Sequence, residues 1–235
     1  DDWGSHFGGS LAFDKLGKLY LSVGDGLNND NPQNLKSLRG KILRLDVSKL
    51  KLDPEIVAYG LRNPWKVSID SKNRMFIGDC GLSTVESVYL LNDLYSGMPY
   101  NLGWPVFEGT KRNKGDPLMF KDTLAPIYEY ERKGRPGCAI GGFYLDHLEV
   151  YLFGDLFGTL SLLKKQKNGG WYLYHYDKPE NIIWTFGYDE KTKNIFIGPN
   201  NFELIISIEP AKLDAQVNLC RTTMPNGSIN NSGCQ

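Results

Sequence analysis

Leu21-Ser22-Val23-Gly24-Asp25-Gly26 is an apolar strand running into a Gly-Asp turn, and the 235-residue chain uses that unit again. It returns as Phe76-Ile77-Gly78-Asp79-Cys80-Gly81, as Tyr151-Leu152-Phe153-Gly154-Asp155 and, decayed, as Ile195-Phe196-Ile197-Gly198-Pro199. The glycines lie 54, 76 and 44 residues apart, around the length of a propeller blade. Three copies follow a polar turn that switches to apolar residues, at 14–18, 70–74 and 189–194. Further segments at 41–46, 66–69, 85–91, 159–163, 171–176 and 204–208 are short and rich in β-branched and aromatic residues. Gly, Pro, Asn or Asp bound them, which predicts strands. No window carries a 3.6-residue apolar stripe. The expected class is all-β, a β-propeller of four-stranded blades over residues 1–210, followed by a polar tail over 211–235.

Composition narrows the partners. Twenty-seven basic and 27 acidic side chains cancel, so no field steers the chain to nucleic acid. No apolar run reaches the roughly 18 residues of a membrane span. The chain opens Asp1-Asp2-Trp3, without an initiator Met or a signal sequence, and reads as a processed product or a fragment. Its four cysteines, Cys80, Cys138, Cys220 and Cys234, allow three full pairings, and none sits in a CxxC pair that would suggest zinc. Cys220 and Cys234 bracket the Gly/Asn/Ser-rich tail, so a disulfide between them is expected to pin it. Asn226-Gly227-Ser228 and Asn230-Asn231-Ser232 are glycosylation acceptors in a secreted chain. An extracytoplasmic, secreted or particle-surface location is the expectation.

Five blocks in order carry more: Ser5-His6-Phe7-Gly8-Gly9, Gly40-Lys41-Ile42-Leu43-Arg44-Leu45-Asp46, Tyr59-Gly60-Leu61-Arg62-Asn63-Pro64-Trp65, Gly78-Asp79-Cys80-Gly81 and Asn101-Leu102-Gly103-Trp104-Pro105. Together, from about Ser5 to about Ile208, they resemble the glucose/sorbosone dehydrogenase family. Its characterised members are six-bladed propellers that oxidise sugars with pyrroloquinoline quinone (PQQ) held on calcium. The resemblance implies that His6 is the general base for the sugar hydroxyl, since imidazole accepts a proton near neutrality. Arg62 would face the cofactor's reactive carbonyl as a fixed positive charge, with Asn63 a polar contact beside it. The main-chain carbonyls of Cys80 and Gly81 would bind calcium, which takes oxygen ligands, and Glu86 fills the family's acidic position after that turn. Trp104 would lie near the cofactor face, and core packing is its commoner use.

The same comparison yields a second reading. Many members carry a carboxylate just before the histidine, where this chain has Ser5, and a second acidic residue where it has Val85. The two arginines that face the cofactor's carboxylates late in those propellers have no counterpart in 181–189, and no arginine occurs between Arg135 and Arg221. A scaffold without cofactor, serving as a surface binding or structural module, is the alternative; the hedgehog-interacting proteins resemble the family and are such a reuse. Four visible blade units do not cover six positions. A further segment or another chain is therefore expected to complete the ring. The loop from Asp25 to Asn31 is dense in oxygen donors but reads as Asx turns rather than an EF-hand.

Overall fold

A computed structural model describes residues 5–116, 122–177, 183–199, 206–208, 222–223 and 229–230. Among these there are strands and turns and no helix. Strands β1 (Leu11–Phe13), β2 (Leu19–Val23), β3 (Lys41–Leu45) and β4 (Glu55–Tyr59) form an antiparallel meander, the first blade. Strands β5 (Pro64–Ile69), β6 (Met75–Asp79) and β7 (Val85–Leu91) begin the second. The chain then doubles back: β8 (Tyr100–Asn101) pairs in parallel with β4, and β9 (Phe107–Glu108) pairs with β10 (Lys111–Arg112). Only afterwards does β11 (Tyr128–Glu131) complete the second blade against β7. Strands β12 (Ala139–Leu145), β13 (Val150–Asp155), β14 (Leu160–Lys165) and β15 (Trp171–Asp177) form the third blade. Strands β16 (Ile183–Tyr188), β17 (Ile195–Pro199) and β18 (Ile206–Ile208) form the fourth sheet.

The period of two along each strand holds the sheets together. On β6, Met75 and Ile77 pack towards the first blade while Phe76 packs towards the third. On β13 the same split sends Tyr151 and Phe153 to the second blade and Leu152 to the fourth sheet. Both faces of these strands are covered, so β6, β7 and β13 are buried along their whole length. Phe76 is sandwiched between Tyr144 and Tyr151, with ring centroids 5.0 and 4.5 Å away. Each such pair contributes about 0.5–1.5 kcal/mol beyond area burial. The first blade differs. Ala12 packs inward, but Leu11 and Phe13 on the other face of β1 are 60% and 61% exposed, an apolar sheet face left open among the described residues.

The first two blades turn the same way at one end. Asp14 Oδ1 accepts the N–H groups of Leu16 and Lys18, and Asp70 Oδ1 those of Lys72 and Arg74, which braces the hairpins β1–β2 and β5–β6. At the opposite end lie the Gly-Asp turns and the entries to β1, β5 and β12. His6, Arg62, Asn63 and Cys138 therefore share one end of the blades. Cys220, Cys234 and Asn226 lie outside the described residues. Of Asn230 only the backbone is described, in a two-residue strand paired with Thr222–Thr223.

Candidate functional site

His6 enters the first blade with its backbone in the left-handed region, at φ 66°. A non-glycine residue stays there only when its surroundings hold it. Gly24 makes the room, because a Cβ on it would overlap the His6 carbonyl. The imidazole Nδ1 lies 2.7 Å from Asp25 Oδ1, and the Asp25 side chain is 2% exposed. That same oxygen accepts the Leu27 N–H at 2.8 Å, while Oδ2 accepts the Trp104 indole N–H at 3.0 Å. The Asp25 carbonyl takes the Asn31 side-chain amide at 2.9 Å. Lys41, fully buried, donates its ammonium to the carbonyls of Asn31, Pro32 and Arg39 at 2.8, 2.9 and 2.7 Å. Burial lowers its pKa from 10.5 to about 8. The loop behind Asp25 is thus tied to β3, and the carboxylate is fixed before any ligand arrives.

The second blade supplies the neighbours. The Arg62 and Asn63 N–H groups donate to the two oxygens of Asp79, at 3.1 and 2.7 Å. Asn63 Oδ1 accepts the Gly8 N–H at 3.2 Å, which stitches the histidine loop to this blade. Arg62 Nη1 donates to the carbonyls of both Cys80 and Gly81, at 3.1 and 2.6 Å. Its guanidinium stands 5.7 Å from the Trp104 ring. Burial pulls the Arg62 pKa down, and Asp79, Asp25, Glu86 and Glu108 pull it back in part.

The turn after β6 is braced from three sides. A disulfide joins Cys80 to Cys138, with Cα atoms 4.5 Å apart, and so links the second blade to the start of β12. It belongs to the one full pairing that leaves Cys220 for Cys234. Glu86 Oε2 accepts the N–H groups of Gly81 and Ala139, at 3.0 and 2.8 Å. Burial pushes the Glu86 carboxyl up to about 7. Glu108 Oε1, carried in by β9, accepts the N–H groups of Leu82, Ser83, Thr84 and Val85 at 2.7, 2.8, 2.9 and 3.3 Å. Burial alone would raise the Glu108 pKa, but these donors outweigh it and the net shift is downward.

These elements border one cavity of about 570 Å³. His6, Arg62, Asn63, Cys80 and Gly81 all line it, so the structure brings these candidates together. Trp65 and Trp184, edge to face at 5.8 Å, form an aromatic wall with Leu156 beside it. Arg132, donating to the Leu82 carbonyl at 2.7 Å and paired from behind with Glu86 at 3.6 Å, adds a second guanidinium, and among the described residues no aspartate or glutamate lines the cavity. Trp104 is 4% exposed and lies behind Arg62, bordering a smaller recess of about 390 Å³ with His6 and Asp25. Glu86 is fully buried behind the turn rather than in the cavity. A separate cavity of about 340 Å³ shares only Arg132 and Gly137 with the first.

Sequence reasoning missed Asp25 as the partner of His6, Glu108 as the organiser of the turn after β6, and Arg132 as a cavity cation. Asp25 had a signal, its place in the Gly-Asp repeat, but the repeat marked it as architecture. For Arg132 and Glu108 no local pattern exists, because both reach the site from the excursion between β7 and β12.

The family model described as Glucose / Sorbosone dehydrogenase matches residues 1–158. The HIPL2 protein of Arabidopsis thaliana is 37% identical over 207 residues, which cover 67% of this chain but only 29% of that protein. The aldose sugar dehydrogenase YliI of Escherichia coli (strain K12) is 30% identical over 159 residues, 60% of this chain and 41% of that one. Among solved structures, the PQQ-bound aldose sugar dehydrogenase of Streptomyces coelicolor has a TM-score of 0.65 at 20% identity, over 84% of this chain and 57% of that chain. The propeller fold is common to both. This chain spans well under two thirds of the curated relatives it matches.

Proposed function

The chain belongs to the glucose/sorbosone dehydrogenase family, and from that premise we propose that it is the site-bearing part of a PQQ- and calcium-dependent aldose dehydrogenase. The observation that carries this reading is the His6–Asp25 pair at the edge of a cavity whose arginines, among the described residues, are Arg62 and Arg132. An Nδ1–H donated to Asp25 makes Nε2 the ring's acceptor, so His6 takes the proton of a sugar hydroxyl while Asp25 stabilises the imidazolium that results. Asp25 here does the work of the carboxylate that relatives place before the histidine.

A ligand with three carboxylates fits this lining. Two guanidiniums and no acidic side chain favour an anion, and Trp65 and Trp184 offer flat surfaces. Calcium fits the turn. The carbonyls of Cys80 and Gly81 converge on one nitrogen, and both are hard oxygen donors. Among the described residues no group of three acidic, Cys or His side chains is suited to a metal, so the backbone would hold the ion. When bound, the quinone supplies the two-electron acceptor for the sugar's hydride. Arg62 then contributes positive charge where negative charge develops, and Asn63 keeps the histidine loop in register through Gly8. The Cys80–Cys138 disulfide supports an oxidising, extracytoplasmic setting. The open apolar face of β1 supports a further segment or chain that packs on the first blade and completes the ring.

A second reading, a binding module without turnover, is favoured by the Trp184 and Leu156 wall, which gives grip but no charge for the far side of a polyanion. Dye reduction by the full chain with PQQ, calcium and a panel of aldoses separates the two. Calcium-dependent turnover supports the dehydrogenase. No turnover for any aldose, whether or not PQQ binds, would overturn it in favour of the module.

A further inference from the structure

One guanidinium nitrogen of Arg62 accounts for both carbonyls that a cation would use. Nη1 donates to Cys80 O at 3.1 Å and to Gly81 O at 2.6 Å, so the two oxygens already face a single positive charge. The geometry points to Arg62 as a built-in occupant of the calcium position: guanidinium and divalent cation compete for the same two oxygens, and the ion's arrival releases Arg62 to an anionic ligand in the cavity it lines. This rests on the calcium reading above and adds a coupling to it, cation and anion each favouring the other.

The physical basis is local. Each carbonyl oxygen has two lone pairs, but a guanidinium nitrogen seated between the two oxygens fills the place of an ion and repels its charge, so apparent calcium affinity is scaled by the fraction of molecules in which Arg62 has left that place. The turn itself does not have to move. Glu86 fixes the Gly81 N–H, Glu108 fixes the four N–H groups after it, and the disulfide fixes Cys80. The exchange therefore falls on the Arg62 side chain, whose backbone stays anchored to Asp79. Once released, the guanidinium is a free bidentate donor for a carboxylate. The two ligands are thereby linked, and linkage is reciprocal: an anion that draws Arg62 away tightens calcium by the same factor. Lys41 shows the same device elsewhere, an ammonium closing three carbonyls of the 31–39 loop.

Arg132 provides the control. It carries the same charge into the same cavity, donates to the Leu82 and Arg135 carbonyls and pairs with Glu86 at 3.6 Å, and donates to neither Cys80 nor Gly81. Calcium is titrated calorimetrically into the full chain as wild type, Arg62→Met and Arg132→Ala, with folding checked by near-UV circular dichroism. Direct competition predicts that Arg62→Met binds calcium about tenfold tighter than wild type, or about 1.4 kcal/mol, and that Arg132→Ala gains threefold or less. Equal gains from both variants would mean bulk charge and overturn the proposal. Equal affinity of wild type and Arg62→Met would overturn it and leave the calcium site standing. No binding by any of the three would remove the site and the proposal together. Should Arg62→Met not fold, Arg62→Lys is titrated instead; it keeps the charge but loses the planar fork. An affinity above that of wild type supports the competition, and one equal to wild type defeats it.

Discussion

The Gly-Asp turn of the first blade and those of the second and third begin from the same residues and end in different jobs. Asp79 and Asp155 spend their oxygens on the chain around them. Asp79 takes two N–H groups ahead of β5, and Asp155 takes the N–H groups of Cys138 and Phe157 and the hydroxyl of Tyr130. Asp25 stands at the same point of its blade, yet its oxygens go to His6, Trp104 and the Leu27 N–H. A bracing carboxylate has become an orienting one because the chain entering β1 passes in a left-handed turn over Gly24, which brings an imidazole to the place where other blades bring backbone. A repeat can thus hold its architecture in several copies and its chemistry in one.

The largest effect should come from breaking that asymmetry. With PQQ, calcium and an aldose present, His6→Ala is expected to cut turnover by about 10²–10⁴, and Asp25→Asn to fall in the same range, because the imidazolium loses the carboxylate charge that stabilises it. Asp155→Asn should leave turnover within a few-fold. Steady-state dye reduction on the three variants decides it. Unchanged turnover in Asp25→Asn would return the first turn to mere architecture.

Much of this was legible beforehand and some was not, for local reasons. The Gly-Asp repeats declare themselves because β6 and β13 are buried on both faces and so read as unbroken apolar runs. Strand β12 escaped notice. Its Gly141-Gly142 pair looks like a turn, but Gly141 sits at φ 80° where a Cβ on Gly78 would overlap its backbone, so the glycines let two blades touch main chain to main chain. His6, Arg62 and Asn63 could be picked out because their blocks resemble those of the glucose/sorbosone dehydrogenase family. Asp25 could not be tied to His6, since 19 residues and a whole hairpin separate them. Glu108 comes from the excursion that carries β8 to β10 and Arg132 from the turn after β11, where length and composition say nothing of destination.

Stability effects come next in size and test the bracing half of the comparison. The Cys80–Cys138 bridge closes a span of 58 residues, so the double change Cys80→Ser, Cys138→Ser should cost about 4 kcal/mol in the chain-entropy model. Asp155→Ala strands the Cys138 and Phe157 N–H groups and the Tyr130 hydroxyl, and should cost about 3 kcal/mol. Asp25→Asn, by contrast, keeps its shape and most of its partners and should cost about 1 kcal/mol. Urea midpoints at fixed pH order the three. If Asp25→Asn proved as damaging as Asp155→Ala, the first turn would be a brace like the others.

The smallest effect is a slope with pH, and it separates the turns by burial. Burial pushes the Asp79 carboxyl from 3.8 up to about 7, against the Arg62 and Asn63 N–H groups and the Arg62 charge. Burial likewise lifts Glu86 from 4.5 to about 7, against its two N–H donors and Arg132. Both groups hold a proton more tightly in the folded chain than in the unfolded one. Their contribution is therefore full below about pH 4 and is lost as pH rises through about 7, because the folded state binds more protons across that window. Asp14 and Glu108, whose pKa values lie below their ordinary ones, act in the opposite sense but only as pH falls below about 4.5. In calcium-free buffer the urea midpoint should accordingly decline between pH 4.5 and 7.5, and Asp79→Asn should flatten that decline even if it lowers the curve as a whole. A wild-type midpoint that rises over this interval would mean that the N–H donors and Arg62 outweigh burial, making Asp79 an ordinary ionised brace throughout.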